Sequence, residues 1–437
     1  MNHLLEKYYN LKKSRFISDV TIVAGGTAIA QAIMIAFSPM ITRIYGPEAF
    51  GILGVFVAMT SLITPLASLA YTVAIVIPAS DKDARSLVKL SLFIAICVAS
   101  LLMIVLGVFH HPIANGFGLH TSSLYLLLLP ALVLLTAAEQ AFSEWLIRKK
   151  QFRSISVATV AHAATVNISK TGIGLIIATA PVLIILNTIG QVFHVVLLWF
   201  QAKSSLLHNV RQEYVANAGQ VSSIKTVAHK YRDYPLYRSP QVLIHNVSQN
   251  IPVLMLAAFF GPVPAGFYAL TRRVLKLPSV LISVSAGKVF LPHIAEAAQR
   301  GTKLRPLIVK ATGGLALVGT VPYGLIIAFG PWLFGFIFGA EWSIAGEYAR
   351  WLSLWLYIIF ISVPSTHAIP LLGLQGHFLI YEVIMIIVTS GALAFGALVM
   401  ESDIIDVALF SISGAILNII LLIWVFINSK DRLRENL

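Results

Sequence analysis

The chain has 437 residues, of which 58% are hydrophobic and only 11% charged, with a mean hydropathy of +0.85. A soluble domain carries about a quarter charged residues, so a soluble globular fold is excluded. The formal charge of +13 would suggest nucleic acid in a soluble protein, but here the basic residues collect in loops between apolar runs, and no nucleic-acid partner is expected.

Apolar runs of about 20 residues recur from end to end, each long enough to cross roughly 30 Å of hydrocarbon. Taken in chain order, they predict spans over 16–43, 49–77, 86–109, 123–147, 154–179 and 181–201, then over 239–260, 265–291, 307–329, 346–373, 378–400 and 404–428. The first follows Lys7, Lys12, Lys13 and Arg15 but outruns a signal-peptide core and lacks a small-x-small cleavage site, so it is read as a retained helix. Alternate loops hold most of the 31 Lys and Arg residues, while the opposite loops carry Glu341, Glu401, Asp403 and Asp406. That asymmetry places both termini in the cytoplasm. The expectation is an all-α polytopic membrane protein of about 12 transmembrane helices in two six-helix lobes. The lobes are 1–201 and 239–437, joined by a polar cytoplasmic linker at 202–238 in which Leu206, Leu207, Val210 and Tyr214 can line a surface-lying helix. Pro39, Pro65, Pro130, Pro252, Pro278, Pro322, Pro364 and Pro370 fall inside spans, so kinked or broken helices are expected. Cys97 is the only cysteine, which leaves no internal disulfide or cysteine-based metal cluster, and it is expected to pack in the third span as a small hydrophobe.

Gly46-Pro47 and Gly51 recur as Gly261-Pro262 and Gly266 at one common offset, each set opening an even-numbered span. Phe117-Gly118 and Phe338-Gly339 recur at nearly the same offset, each between the third and fourth spans of its half. Six spans per half would make such repeats parallel, with a cleft between two lobes.

Four cations stand out within the spans. Lys170 lies about 24 Å from the cytoplasmic end of the fifth span, at 1.5 Å per residue. Arg272, Arg273 and Lys276 lie roughly 10 to 16 Å from the opposite end of the eighth, which brings all four to one depth. A cation facing lipid at a helix centre costs about 2.5–3.5 kcal/mol on insertion scales, so most of these should face a wet cavity or a partner. The alternative is that they snorkel to the periplasmic surface or bond backbone carbonyls. Arg43, Lys288 and Arg350 sit at span ends, where snorkelling accounts for them. Glu139 in the fourth span is the obvious acid, but roughly 12 Å separates it in depth from Lys170. Asp19, Glu144 and Glu382 lie near cytoplasmic ends. The excess of cations calls for an anionic substrate. Tyr268, Arg272 and Lys276 follow an i, i+4 row, continued near Ser279 and Ser283, and His162, Val166 and Lys170 follow another. The seventh span carries Gln241, His245, Asn246, Gln249 and Asn250, amides and imidazole suited either to sugar hydroxyls or to interhelical hydrogen bonds. The sequence contains no Walker-type phosphate loop, HExxH, paired cysteines or nucleophile elbow, and His110-His111 lacks further ligands, so neither catalytic residues nor a metal site are expected.

The stretches SPMITRIYGPEAFGILGVF, SLAYTVAIVIPASDKDA, EWLIRKKQFR, AGFYALTRRVLKLP with KVFLP, and IFGAEWSIAGEYAR resemble the O-antigen (Wzx-type) flippases, the polysaccharide-export branch of the multidrug/oligosaccharidyl-lipid/polysaccharide (MOP) transporter superfamily. The likeness covers essentially the whole chain. It implies two six-helix lobes around a cationic cleft in the bacterial inner membrane. It also implies alternating access that turns an undecaprenyl-pyrophosphate-linked oligosaccharide from the cytoplasmic to the periplasmic leaflet for surface polysaccharide. Membrane lipids, a glycan polymerase and glycosyltransferases are the partners it implies.

Within that frame, Lys170, Arg272, Arg273 and Lys276 are expected to meet the diphosphate, and His245, Gln249 and Asn250 the sugar hydroxyls. No cofactor is expected beyond coupling to H+ or Na+, for which Glu139 is the candidate. A multidrug or cation antiporter of the same superfamily is the nearest rival, but it would need buried acids where this chain has cations. A lipid II flippase would carry extra C-terminal helices, and a membrane glycan polymerase would need an extramembrane domain or catalytic acids.

Overall fold

The computed structural model describes the backbone at 2–216, 224–276, 304–369 and 372–429, and the side chains over the same ranges except 2–20, 120–122 and 207–216. Among the described residues the fold is helical, without strands. The helices are α1 (Asn2–Ser68), α2 (Tyr71–Ala74), α3 (Asp81–Gly116), α4 (Leu129–Arg148), α5 (Phe152–Gly174), α6 (Ala180–Ala216) and α7 (Ile224–Lys230). They continue with α8 (Ser239–Phe260), α9 (262–276), α10 (Leu304–Phe338), α11 (Ser343–Ala368), α12 (Gln375–Phe395) and α13 (Asp403–Asn428). Pro278, Ser279, Ser283, Lys288 and Pro370, with the side chains of Lys7, Lys12, Lys13, Arg15, Asp19, Leu207, Val210 and Tyr214, lie outside the described residues.

Nine segments among the described residues are long and apolar enough to cross a membrane. One of them, Thr21–Ser68, has 48 residues, or about 72 Å at 1.5 Å per residue, which is length for two crossings. It kinks at Gly46 (φ 69°), between the expected first and second spans. The expected fifth span coincides with α5, which is long enough but too polar to count among the nine. Most of the expected eighth span lies outside the described residues.

The chain divides into two compact units, Met1–Tyr45 with Val55–Asn250, and Gly46–Gly54 with Ile251–Leu437. The core of the first gathers Tyr71, Ile75, Leu87, Trp145, Leu198 and Val227. Trp145 is completely buried and its indole donates to Ser205 Oγ at 2.9 Å. Asp81, in the first turn of α3, receives Arg148 Nε at 3.0 Å and is also bonded by Lys149, while Arg148 donates to the Pro78 carbonyl at 2.5 Å. α7 packs on α3 through buried Val227, and the Tyr71 hydroxyl donates to the Ala228 carbonyl at 3.1 Å.

α8 docks on α1 by repairing a proline break. Pro65 has no N–H, so the carbonyl of Ser61 loses its helical donor, and Asn246 Nδ2 supplies one at 2.7 Å. One turn later the Ser239 hydroxyl donates to the Pro65 carbonyl at 3.1 Å, near the end of α1. In the second unit, Pro331 frees the Ile327 carbonyl, and Arg350 Nε donates to it at 3.1 Å while its Nη2 reaches the Ala328 carbonyl at 3.2 Å. Snorkelling is therefore the wrong account of Arg350, which bonds α11 to α10 and pairs with Glu347 at 3.1 Å.

The second unit is also held by close backbone crossings. Gly51 presses on the carbonyl of Pro262 and Gly266 on the carbonyl of Pro47, so that each repeat of the Gly-Pro motif inserts its glycine under the other's proline. Both leading glycines take positive φ, Gly46 at 69° and Gly261 at 86°, as do Gly118 (65°) and Gly339 (118°) of the second repeated pair. The repeats read from sequence thus share backbone conformation. Gly330 and Gly346 form a similar crossing of α10 and α11, and above it Phe50 and Phe267 meet Trp342 edge-on at 5.3 and 5.9 Å.

The outer faces are apolar: on α3, Phe93 is 64% and Ile104 67% exposed. Contiguous surface of this kind needs lipid to cover it. Cys97 is exposed as well, contrary to the expectation that it packs inside.

A methyl group at Gly51 or Gly266 would overlap a main-chain carbonyl, whereas one at Gly107 would meet nothing within 4 Å. Gly51→Ala and Gly266→Ala are each expected to destabilise the protein by about 1–3 kcal/mol or more through overpacking. Gly107→Ala should be neutral or slightly stabilising, and thermal unfolding in one detergent compares all three.

Candidate functional site

In the first unit the polar residues of α4, α5 and α6 converge. Glu139 of α4 accepts from Gln191 Nε2 at 2.5 Å and lies 3.5 Å from His194 Nδ1, both on α6. The imidazoles of His162 and His194 stack with centroids 4.6 Å apart and planes 5° from parallel. Gly190 makes this stacking possible, because a side chain there would strike Val166 and crowd His162 Nε2. Two turns beyond His162 on its row, Lys170 Nζ donates to Asn187 Oδ1 at 3.5 Å, and its main-chain carbonyl accepts from the Tyr45 hydroxyl at 2.9 Å. The expected gap in depth between Glu139 and Lys170 is filled by the two histidines.

α8 contributes to this unit as far as Asn250. His245 is exposed and Gln249 half-buried. Asn246 is committed to α1, and Asn250 Nδ2 donates back to the Asn246 carbonyl at 2.9 Å.

In the second unit α9 begins at Pro262 under the glycine crossing. Tyr268 is fully buried, edge-on to Phe410 at 6.2 Å, with a hydroxyl that lacks a hydrogen-bond partner among the described residues. Arg272 and Lys276 follow on its row, both half-buried and within electrostatic reach of each other. Arg273 turns to another face and is exposed. The buried Thr271 hydroxyl donates to the Ala345 carbonyl at 2.8 Å, which locks the rotation of α9 and so decides which face carries Arg272.

Two groups of functional interest were not anticipated. Asn187, Gln191 and His194 repeat at helical spacing on α6, a pattern visible in the sequence beside the His162 row of α5. Asp406, expected in an exposed loop, is completely buried on α13, its carboxylate without a hydrogen-bond partner among the described residues and pressed against Gly396. Next to it, Asp403 accepts from the Tyr348 hydroxyl at 2.6 Å. Among the described residues no group of three or more His, Cys, Asp or Glu could hold a metal ion.

A family model described as "Polysaccharide biosynthesis protein" matches residues 40–346. No curated protein matches the chain. Among solved structures, the chain is similar to a multidrug resistance MATE family transporter of the MOP superfamily in its inward-facing conformation, with a TM-score of 0.71 and 13% identity over 95% of this chain and 96% of that one. It is also similar to the lipid II flippase MurJ in an inward closed conformation, with a TM-score of 0.70 and 16% identity over 92% of this chain and 86% of that one. A MOP superfamily transporter from Pyrococcus furiosus, whose binding pocket is described as reversed in polarity, matches at a TM-score of 0.54 and 11% identity over 95% of both chains. At such identities the likeness establishes the fold.

Removing Glu139 takes the acceptor from Gln191 and the carboxylate that faces His194 Nδ1. Glu139→Ala should lower stability by about 1–3 kcal/mol. A double-mutant cycle with His194→Ala, read by thermal unfolding, should give a coupling of about 0.5 kcal/mol or more, whereas additivity would mean that the two do not interact.

Proposed function

This chain belongs to the polysaccharide biosynthesis protein family, and from that premise we propose that it flips an undecaprenyl-pyrophosphate-linked oligosaccharide from the cytoplasmic to the periplasmic leaflet of the bacterial inner membrane. A multi-pass membrane protein with the fold of MOP superfamily transporters supports the transport reading. The observation that carries the choice of substrate is the placing of three cations, Lys170, Arg272 and Lys276, at half-buried positions of membrane helices. A cation held in a membrane helix is costly and favours an anionic ligand, and a diphosphate supplies the matching charge. Arg273 adds a cation on the neighbouring face of α9, and His245, Gln249 and Asn250 offer donors and acceptors to sugar hydroxyls. The polyprenyl chain stays in lipid while only the head group crosses.

On this reading the chain crosses the membrane twelve times with both termini in the cytoplasm, residues 1–201 and 239–437 form the two lobes, and 202–238 links them. Glycosyltransferases supply the lipid-linked sugar and a polymerase consumes it. Glu139, bonded to Gln191 and facing His194, is the acid through which transport couples to H+ or Na+. A multidrug antiporter for cations is disfavoured by the same cationic rows.

In cells deprived of their own flippase, Lys170→Ala and Arg272→Ala should each lower surface glycan about tenfold or more, the loss of one charge-assisted contact, at unchanged protein level. Arg272→Lys should recover part of it, since it restores the charge without the bidentate fork. Wild-type export by both alanine variants would overturn the assignment. In proteoliposomes loaded with fluorescent lipid-oligosaccharide, Glu139→Gln should abolish the response to an imposed proton or sodium gradient while leaving gradient-free exchange in place. An undiminished response would remove Glu139 from coupling.

A further inference from the structure

The basic run from Arg148 to Arg153 divides in two. Arg148 and Lys149 are consumed by Asp81. Lys150 and Arg153 have no ion pair or hydrogen bond from their side chains among the described residues, and both line a cavity of about 520 Å³ in the first unit. The cavity receives Ser154 from the first turn of α5 and Gln201 from α6, with Ile22 and Phe200 as apolar wall.

Four features of this cavity select a ligand. The first turn of α5, a helix of 23 residues, opens onto it and brings partial positive charge to the two cations. Half-buried Gln201 lines the cavity, and its Oε1, which has no hydrogen-bond partner among the described residues, can accept from a hydroxyl or amine. The cavity lies at the polar end of the apolar Ala180–Leu206 segment, where Phe200 is 58% exposed, so a ligand seated on the cations can lay a hydrocarbon chain against Ile22 and Phe200.

The fourth feature is the backbone of Lys150. α4 closes by hydrogen bonds from Gln151 N to the Leu146 carbonyl (2.9 Å) and from Lys150 N to the Ile147 carbonyl (2.9 Å), with Lys150 at φ 56°. That is the left-handed position at which helices usually place glycine. A lysine there is strained by roughly 1–2 kcal/mol relative to glycine, and its side chain is carried to the cavity at that cost.

We propose that this cavity is a binding site for the phosphate group of a membrane lipid. The phosphate sits between Lys150, Arg153 and the first turn of α5, a hydroxyl or amine of the head group donates to Gln201, and the chain runs along Ile22 and Phe200. The site shares no residue with the Lys170 and Arg272 rows and does not depend on the function proposed for them.

The test uses the full-length protein in neutral detergent, with native mass spectrometry reading retained phosphatidylglycerol, phosphatidylcholine of the same chain length, and inorganic phosphate. Phosphatidylglycerol should be retained about tenfold more strongly than phosphatidylcholine, whose choline offsets the phosphate charge. Lys150→Gly and Arg153→Gln should each weaken its retention about five- to tenfold, while Lys89→Gln, an exposed lysine on α3, leaves it unchanged. Lys150→Gly should unfold no earlier than wild type, because glycine takes the left-handed position without strain, so loss of lipid there cannot be loss of fold. Retention at wild-type level by both variants would overturn the proposal, as would an equal fall in Lys89→Gln. Inorganic phosphate bound as tightly as the lipid would also overturn it, and would make the cavity a site for soluble anions.

Discussion

In hydrocarbon a main-chain carbonyl without a donor has no water to turn to, and every proline inside a membrane helix creates one such carbonyl a turn before itself. Two of the polar contacts between helices answer that constraint. Asn246 supplies the donor that Pro65 withholds from Ser61, and Arg350 does the same where Pro331 frees Ile327. Ser239 meets the Pro65 carbonyl where α1 runs out. Each repair is also a contact between helices, so the breaks that loosen α1 and α10 are the points at which α8 and α11 are tied to them. Lipid offers no hydrophobic drive for helices to associate, and such bonds, together with close packing, must do it.

Close packing comes from glycine. At the Gly51 and Gly266 crossing the backbones approach so nearly that each glycine touches the carbonyl of the other repeat's proline. The reciprocity follows from the repeated motif, in which a positive-φ glycine ends one helix, proline begins the next, and a second glycine follows one turn later. This crossing binds Gly46–Gly54 to the second unit and sets where α9 begins, while Thr271, bonded to Ala345, sets its rotation. The orientation of Arg272 and Lys276 is a consequence of the two together. In the first unit Gly190 acts likewise, since a side chain there would strike Val166 beside the stacked histidines. The charged groups are thus held by small residues that carry no chemistry themselves.

Expensive charges inside a membrane persist where they are paired or used. Arg350 is paired with Glu347 and the freed carbonyls of α10, and at the helix ends Arg148 and Lys149 pair with Asp81. Glu139 is shared between Gln191 and His194. Lys170, Arg272 and Lys276 are held half-buried on rows that also present imidazole, amide and hydroxyl groups, the mixture suited to a phosphorylated sugar.

Composition and periodicity alone determined that this is an all-helical membrane protein with an internal repeat, because the thickness of hydrocarbon dictates span length and a Gly-Pro turn has one backbone solution wherever it occurs. The cationic rows were legible too, since i, i+4 spacing places residues on one face without reference to neighbours. Tertiary structure decided what each polar group is for. Asn246 and Asn250 are alike in sequence, yet one bonds a broken neighbour and the other its own helix. Asp406 looked like a loop acid and is buried, Cys97 looked interior and is exposed, and His194 attracted no notice until α6 brought it against Glu139 and His162. Span length and helical periodicity are local properties of a chain, whereas the partner of a side chain belongs to whichever helix the packing sets beside it.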